Sequence, residues 1–253
     1  MTDLGSKSGS QSLWQKDQQQ DGEFALLSAG SLELRLDVKQ PGAGLQNVVA
    51  NKVPFENARI LCVHPDPPTP ASGETLIESY GRGDDFVAIY AQTPARSVRP
   101  HYQWRYVQPA DGVSGVELTL SMQTSLLESN PTATAFSSLP AAECLSYSGD
   151  SWSSLDNGHD GPVAGASGIF LFRPEGAAVS YAEIVFPADF QGASARFAEG
   201  VGEIRYELFP EFLEKGVIRK ARIQSLFLPR SGDEALAVSA CQALAAAAPP
   251  LTT

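Results

Sequence analysis

The densest run of side chains able to do chemistry is 151–162, "SWSSLDNGHDGP", where His159 stands between Asp156 and Asp160. A carboxylate beside an imidazole orients the ring and raises its basicity, which is the arrangement a general base needs. Asp156, Gly158, Asp160 and Gly161 also fit the first half of a calcium loop. The twelfth position of such a loop must supply a bidentate carboxylate, and here it is Ser167, in a run that reads as loop and strand with no flanking helices. It is therefore not an EF-hand. A hydrolase triad lacks its nucleophile, because "GASGI" around Ser167 misses the last glycine of the G-x-S-x-G elbow. Asp, Asn and Gly at this density also make ordinary turns, with Asx side chains bonding the local backbone. Turn chemistry is the simpler reading, with Trp152 and His159 as candidate ligand contacts from an end loop.

A second group sits in "ARSVRPHYQWRYV". Strand alternation puts His101, Gln103 and Arg105 on one face and Tyr102, Trp104 and Tyr106 on the other. Aromatic faces and planar polar groups suit sugar rings, so His101, Tyr102, Trp104 and Arg105 are candidate ligand-binding residues. Half-buried strands look the same in sequence. Glu203 and Glu207 share a strand face with Arg205 between them. If the protein is an enzyme, His101 as acid and Glu203 or Glu207 as base are the catalytic candidates, provided they flank one substrate. His64 opens the proline-stiffened loop "HPDPPTP" and reads as structural or solvent-facing.

Several function classes lack their signatures. Three scattered histidines with no H-x-H or H-E-x-x-H leave a zinc enzyme without ligands, and no metal or other cofactor is expected. "YGRGDDF" lacks the G-K-[ST] ending of a phosphate loop, and its Arg82-Gly83-Asp84 tripeptide reads as a hairpin turn. Cys62, Cys144 and Cys241 are odd in number, far apart and never in a CxxC pair, so each reads as a small buried hydrophobe. The formal charge of −11 repels phosphate backbones and anionic lipid, which argues against nucleic acid as a partner. No segment approaches the ~20 continuous apolar residues of a membrane span. The first residues carry no apolar signal region, from which a cytoplasmic location is expected.

The elements that must position these residues are strands. "SLELRLDV" sets Leu32, Leu34, Leu36 and Val38 against Glu33, Arg35 and Asp37, the alternation of a strand with one wet face. The signature recurs in "ARILCV", "DDFVAIYA", "HYQWRYV", "GVELTLSMQT", "ATAFSSL", "GIFLF", "AVSYAEIVF", "GEIRYELF" and "VIRKARIQSLFL", with turn residues between most neighbours. Residues 1–22, rich in Ser, Gln, Gly and Asp, have little to bury and read as a disordered tail. Residues 23–248 are expected to be one antiparallel domain. Its single helix follows Ser231, which with Glu234 makes a capping box before an Ala/Leu-rich run stopped by Pro249 and Pro250. Leu236, Val238, Cys241 and Leu244 should pack that helix on the sheet. A weak echo between "MQTSLLESNP" and "LFPEFLEKGV" marks two chain reversals.

The expected fold class is therefore all-β, a large antiparallel β-sandwich with one C-terminal α-helix. In strand count and length it resembles the β-supersandwich of galactose-mutarotase-like and sugar-processing proteins, with no motif matching residue by residue. The functional expectation is a non-catalytic sandwich that binds a carbohydrate, another polar ligand or a protein partner. The alternative is a sugar-active enzyme of epimerase or lyase type using a His/Glu pair.

Overall fold

The chain alternates between two large sheets. The computed structural model describes residues 12–19, 22–66, 74–165, 167–209 and 212–247. The strands of the first half are β1 (Trp14–Gln19), β2 (Gly22–Ala29), β3 (Leu32–Asp37), β4 (Leu45–Ala50), β5 (Val53–Pro54), β6 (Arg59–Pro65), β7 (Leu76–Arg82), β8 (Asp85–Tyr90), β9 (Arg99–Ala110) and β10 (Val113–Gln123). There follow β11 (Glu128–Ser129), β12 (Ala133–Pro140), β13 (Glu143–Ser148), β14 (Ser151–Ser154), β15 (His159–Pro162), β16 (Ile169–Arg173) and β17 (Val179–Val185). The last are β18 (Phe190–Ala198), β19 (Val201–Leu208), β20 (Leu213–Glu214), β21 (Ile218–Pro229) and the helix α1 (Asp233–Ala246).

A ten-stranded sheet runs β1-β2-β3-β4-β6-β12-β19-β18-β15 with β5 on β4, and a nine-stranded sheet runs β14-β13-β16-β17-β21-β10-β9-β8-β7. All pairings described are antiparallel. The expected antiparallel sandwich with one late helix is what the chain forms. Alternation delivers the core: Leu32, Leu34 and Leu36 of β3, Ile204, Tyr206 and Leu208 of β19, and Leu118 and Leu120 of β10 meet in one buried cluster between the sheets.

Order begins earlier than composition predicts, because Trp14–Gln19 is a strand rather than part of a tail. Trp14 is 3% exposed, packs tilted against Phe86 at 5.7 Å, and donates from Nε1 to the Asp84 carbonyl at 3.0 Å. One aromatic residue thus buries enough surface to hold the strand and to join the first sheet's edge to the hairpin of β7 and β8. Residues 1–11 lie outside the described residues.

The helix forms where expected but is held differently. Its N-cap is Gly232 in the left-handed region, with no side-chain cap, so the Ser231–Glu234 box is not made. Instead Asp233 accepts from Arg173 (2.9 and 2.8 Å) and from Ser180 Oγ (2.6 Å), fastening the first turn to the nine-stranded sheet. Burial raises the Asp233 carboxyl, but those hydrogen bonds outweigh it and the net shift is downward. The buried face is Asp233, Ala237, Ala240 and Leu244, at helical spacing. Leu236, Val238 and Cys241 pack only at its flanks. The alanines let the helix sit close on β16, β17 and β21. Pro249 and Pro250 lie outside the described residues.

The two echoed turn segments pair with each other: β11 and β20 form a small two-stranded sheet through Glu128↔Glu214 and Ser129↔Leu213. No helix among the described residues is long and apolar enough to cross a membrane.

Candidate functional site

Four strands of the ten-stranded sheet place a polar cluster on its outer face. Where their inward residues make the core, their outward ones align in rows across the strands. One row is His64, Thr134 and Glu207, the next Cys62, Phe136, Arg205 and Ser194, and the third Arg59, Ser138, Glu203 and Arg196. Neighbours within a row are about 5 Å apart, and rows about 7 Å apart along the strands.

Arg59 and His64 reach the same face only because β6 carries a bulge. They are five positions apart, an odd offset, so strict alternation would put them on opposite faces. The register shifts between Phe136 and Ser138, and Leu61 takes φ +54°. The bulge is held from below, since the Leu61 N–H donates to Ser137 Oγ at 3.0 Å. One extra residue therefore restores both side chains to the outer surface.

Phe136 is the centre of the cluster. His64 stacks on its ring at 5.2 Å and 12°, and the guanidinium groups of Arg59 and Arg205 lie 5.7 and 5.5 Å from its centroid. Arg205 donates to Glu203 at 3.1 Å. Arg59 donates instead to the carbonyls of Ala43 and Gly42, each at 3.3 Å, in the short 3-10 turn Pro41–Ala43 that walls one side. Two glycines let this wall approach. A Cβ on Gly42 would stand 3.0 Å from His64 Cε1, and one on Gly44 (φ +73°) would stand 2.5 Å from Cys62 Sγ. Burial, then the charges of Arg59 and Arg205, push the His64 imidazole below its ordinary value, so the ring is neutral at neutral pH.

Three depressions open along this face. One of about 210 Å³ is lined by His64, Thr134, Gln191 and Glu207, and another of about 210 Å³ by Ser138, Arg196, Glu199 and Glu203. The largest, about 570 Å³, is the cup between β4 and β6, which join through Leu45↔Ile60, and it ends on Arg59. Among the described residues no group of three or more His, Cys, Asp and Glu side chains could hold a metal ion.

Beneath the plateau lies a buried carboxylate. Glu183 of β17 is 1% exposed and accepts hydrogen bonds from Ser137 and the Tyr181 hydroxyl, which itself shares a 2.7 Å bond with Ser225. Burial, only partly offset by those bonds, pushes it up to about 7.

The residues singled out in sequence scatter over the molecule. Tyr102 and Trp104, each 1% exposed, stack on one another at 5.4 Å inside the core, so they are not ligand contacts. His101 and Arg105 point outward from the nine-stranded sheet, and the Arg105 guanidinium is engaged by Asp85 at 2.7 and 3.2 Å. Burial and the charges of Lys220 and Arg99 lower the His101 imidazole. Glu203 and Glu207 project from the outer face of the opposite sheet. Two sheet layers and their core, about 10 Å between sheets, separate them from His101, and no sugar ring spans that distance. The His101/Glu acid–base pair is therefore withdrawn.

The run 151–162 is not an end loop but a pair of edge strands, β14 on the nine-stranded sheet and β15 on the ten-stranded one. Trp152 packs on Tyr147 at 5.2 Å, and His159 pairs with inward-facing Phe197, its Nε2 buried with no hydrogen-bond partner. Asp160 comes opposite Arg196 and reaches the margin of the outer-face cluster. Sequence reasoning missed Arg59, Phe136 and Arg205 and set His64 aside. Phe136 and Arg205 meet through cross-strand register, and Arg59 joins His64 on their face through the bulge at Leu61, which leaves no mark in the alternation of "ARILCVHP".

No family model matches the chain, and no curated protein matches its sequence. Solved structures match its fold. A candidate mutarotase, YeaD, from Salmonella typhimurium aligns with TM-score 0.59 at 8% identity over 86% of this chain and 94% of that one. The protein HI1317 aligns with TM-score 0.50 at 9% identity, over 87% and 98%. A TPR-domain protein from Parabacteroides distasonis aligns with TM-score 0.56 at 8% identity, over 82% of this chain and 47% of the other. The chain shares the β-sandwich fold of these proteins. At such identities the likeness is one of architecture.

Proposed function

We propose that the protein binds a carbohydrate on the outer face of its ten-stranded sheet. The observation that carries this reading is the Phe136 plateau: an aromatic ring with His64 stacked on it, two guanidinium groups over it and Glu203 and Glu207 at its edge. Phe136 is the apolar floor that fixes His64, Arg59 and Arg205 side by side, and sugar hydroxyls accept hydrogen bonds from planar guanidinium groups and donate them to the carboxylates. The fold shared with a candidate mutarotase supports the same ligand class. Titration calorimetry of the protein against sugars retained on a glycan array tests it. Binding that weakens about tenfold or more in Phe136→Ala supports the reading, at 1.4 kcal/mol per tenfold. Binding unchanged in that variant, or no sugar retained at all, overturns it.

A second reading, catalysis at the same place, is favoured by one observation: His64 and Glu207 line the same 210 Å³ depression. In its imidazolium form, the minor one at neutral pH, His64 delivers a proton to the ring oxygen as the Glu207 carboxylate takes the anomeric hydroxyl proton, and the aldose ring opens. The reverse transfers close the ring on either face. Polarimetry of a freshly dissolved bound aldose shows accelerated mutarotation if this holds, and the acceleration is absent in Glu207→Gln.

A further inference from the structure

The site's shape speaks to the size of its ligand. Two of its depressions have equal volume, about 210 Å³ each, and are built on the same two strands. One takes Thr134 of β12 and Glu207 of β19, and the other takes Ser138 and Glu203, four residues further along each strand's outer face. Four residues of strand span about 13 Å, more than one pyranose ring can bridge. The interval is not empty wall: it is occupied by Phe136 and Arg205, paired across the strands. The third depression lies to one side of that line, because Arg59 at its mouth is the cross-strand neighbour of Ser138. Each stop offers groups that hydrogen-bond hydroxyls: Gln191 and Glu207 at one end, Arg196 and Glu203 at the other, Gln46 and Asn57 in the cup.

We infer that the ligand is a linear oligosaccharide, one unit in each of the two equal depressions and one across Phe136, rather than a single sugar. This rests on the carbohydrate reading above and adds to it the length of the chain recognised. A monosaccharide would fill one depression and leave the other two to water, whereas a chain of about three units matches the ~13 Å between the outer two.

The test is a length series. An array of neutral glycans from one to six units identifies the sugar type, and calorimetry then measures that type at each length. Affinity should rise about tenfold or more between one unit and three and then level. In Arg196→Ala, a substitution of an exposed side chain, the gain with length should disappear. Equal affinity for one unit and for three overturns the inference while the carbohydrate reading stands. So does a length gain that survives in Arg196→Ala. No glycan retained at any length overturns both.

Discussion

Replacing the buried carboxylate at Glu183 with Gln should change how stability depends on pH. The side chain lies in the core with Ser137 and Tyr181 donating to it and Ser225 bonded to Tyr181. Cys62 and Tyr206 lie within reach of its charge, and neither is a cation at neutral pH. Burial raises the carboxyl from its ordinary 4.5 to about 7 in the folded protein. Between those values the native state holds a proton that the unfolded chain has lost, so stability falls as pH rises. Its contribution is fully present below pH about 4.5 and is lost as pH climbs through about 7, a change of about 3 kcal/mol. Glu183→Gln keeps the shape and cannot ionise. Urea unfolding of parent and variant from pH about 4 to about 8 gives the difference between them, in which the distant carboxylates cancel. The variant should gain on the parent by about 3 kcal/mol across that window and track it above pH about 7. A difference that stays constant over the range, or one that moves against the variant, refutes the assignment of a neutral buried acid.

Two further substitutions probe how the site and the helix are held. Gly44→Ala must place a Cβ at φ +73° and 2.5 Å from Cys62 Sγ, so it should cost about 1–3 kcal/mol, read as a lower thermal midpoint, and weaken sugar binding by shifting the wall beside Arg59 and His64. Asp233→Ala leaves Arg173 and Ser180 without the carboxylate that fastens α1, and urea unfolding should show a loss of about 3 kcal/mol.

How much was legible beforehand differs between fold and site. Strand after strand was readable because alternation of apolar and polar residues is a local property, and "SLELRLDV" buries the leucines that its pattern names. The aromatic strip of β9 shows where local reading stops. Its sequence fits either a groove or a core, and only the sheet packed above Tyr102 and Trp104 makes them core. Trp14 shows the same limit from the other side. A polar segment gains a partner, Phe86, that is distant in sequence, and so becomes a strand. The run holding His159 was rich in chemistry-bearing residues, yet pairing with two different sheets draws Trp152 and His159 apart from each other and from the cluster around Phe136.

By itself, then, the sequence determined the periodicity of its strands and the helix after Gly232, because each follows from neighbours along the chain. The tertiary structure decided which strands lie side by side and which face of each looks outward. Arg59, His64, Phe136, Arg205, Glu203 and Glu207 come from three strands far apart in sequence, and they share a surface through cross-strand register and one bulge at Leu61. Register is set by long-range hydrogen bonds and by core packing, and a single inserted residue reverses the face of everything beyond it.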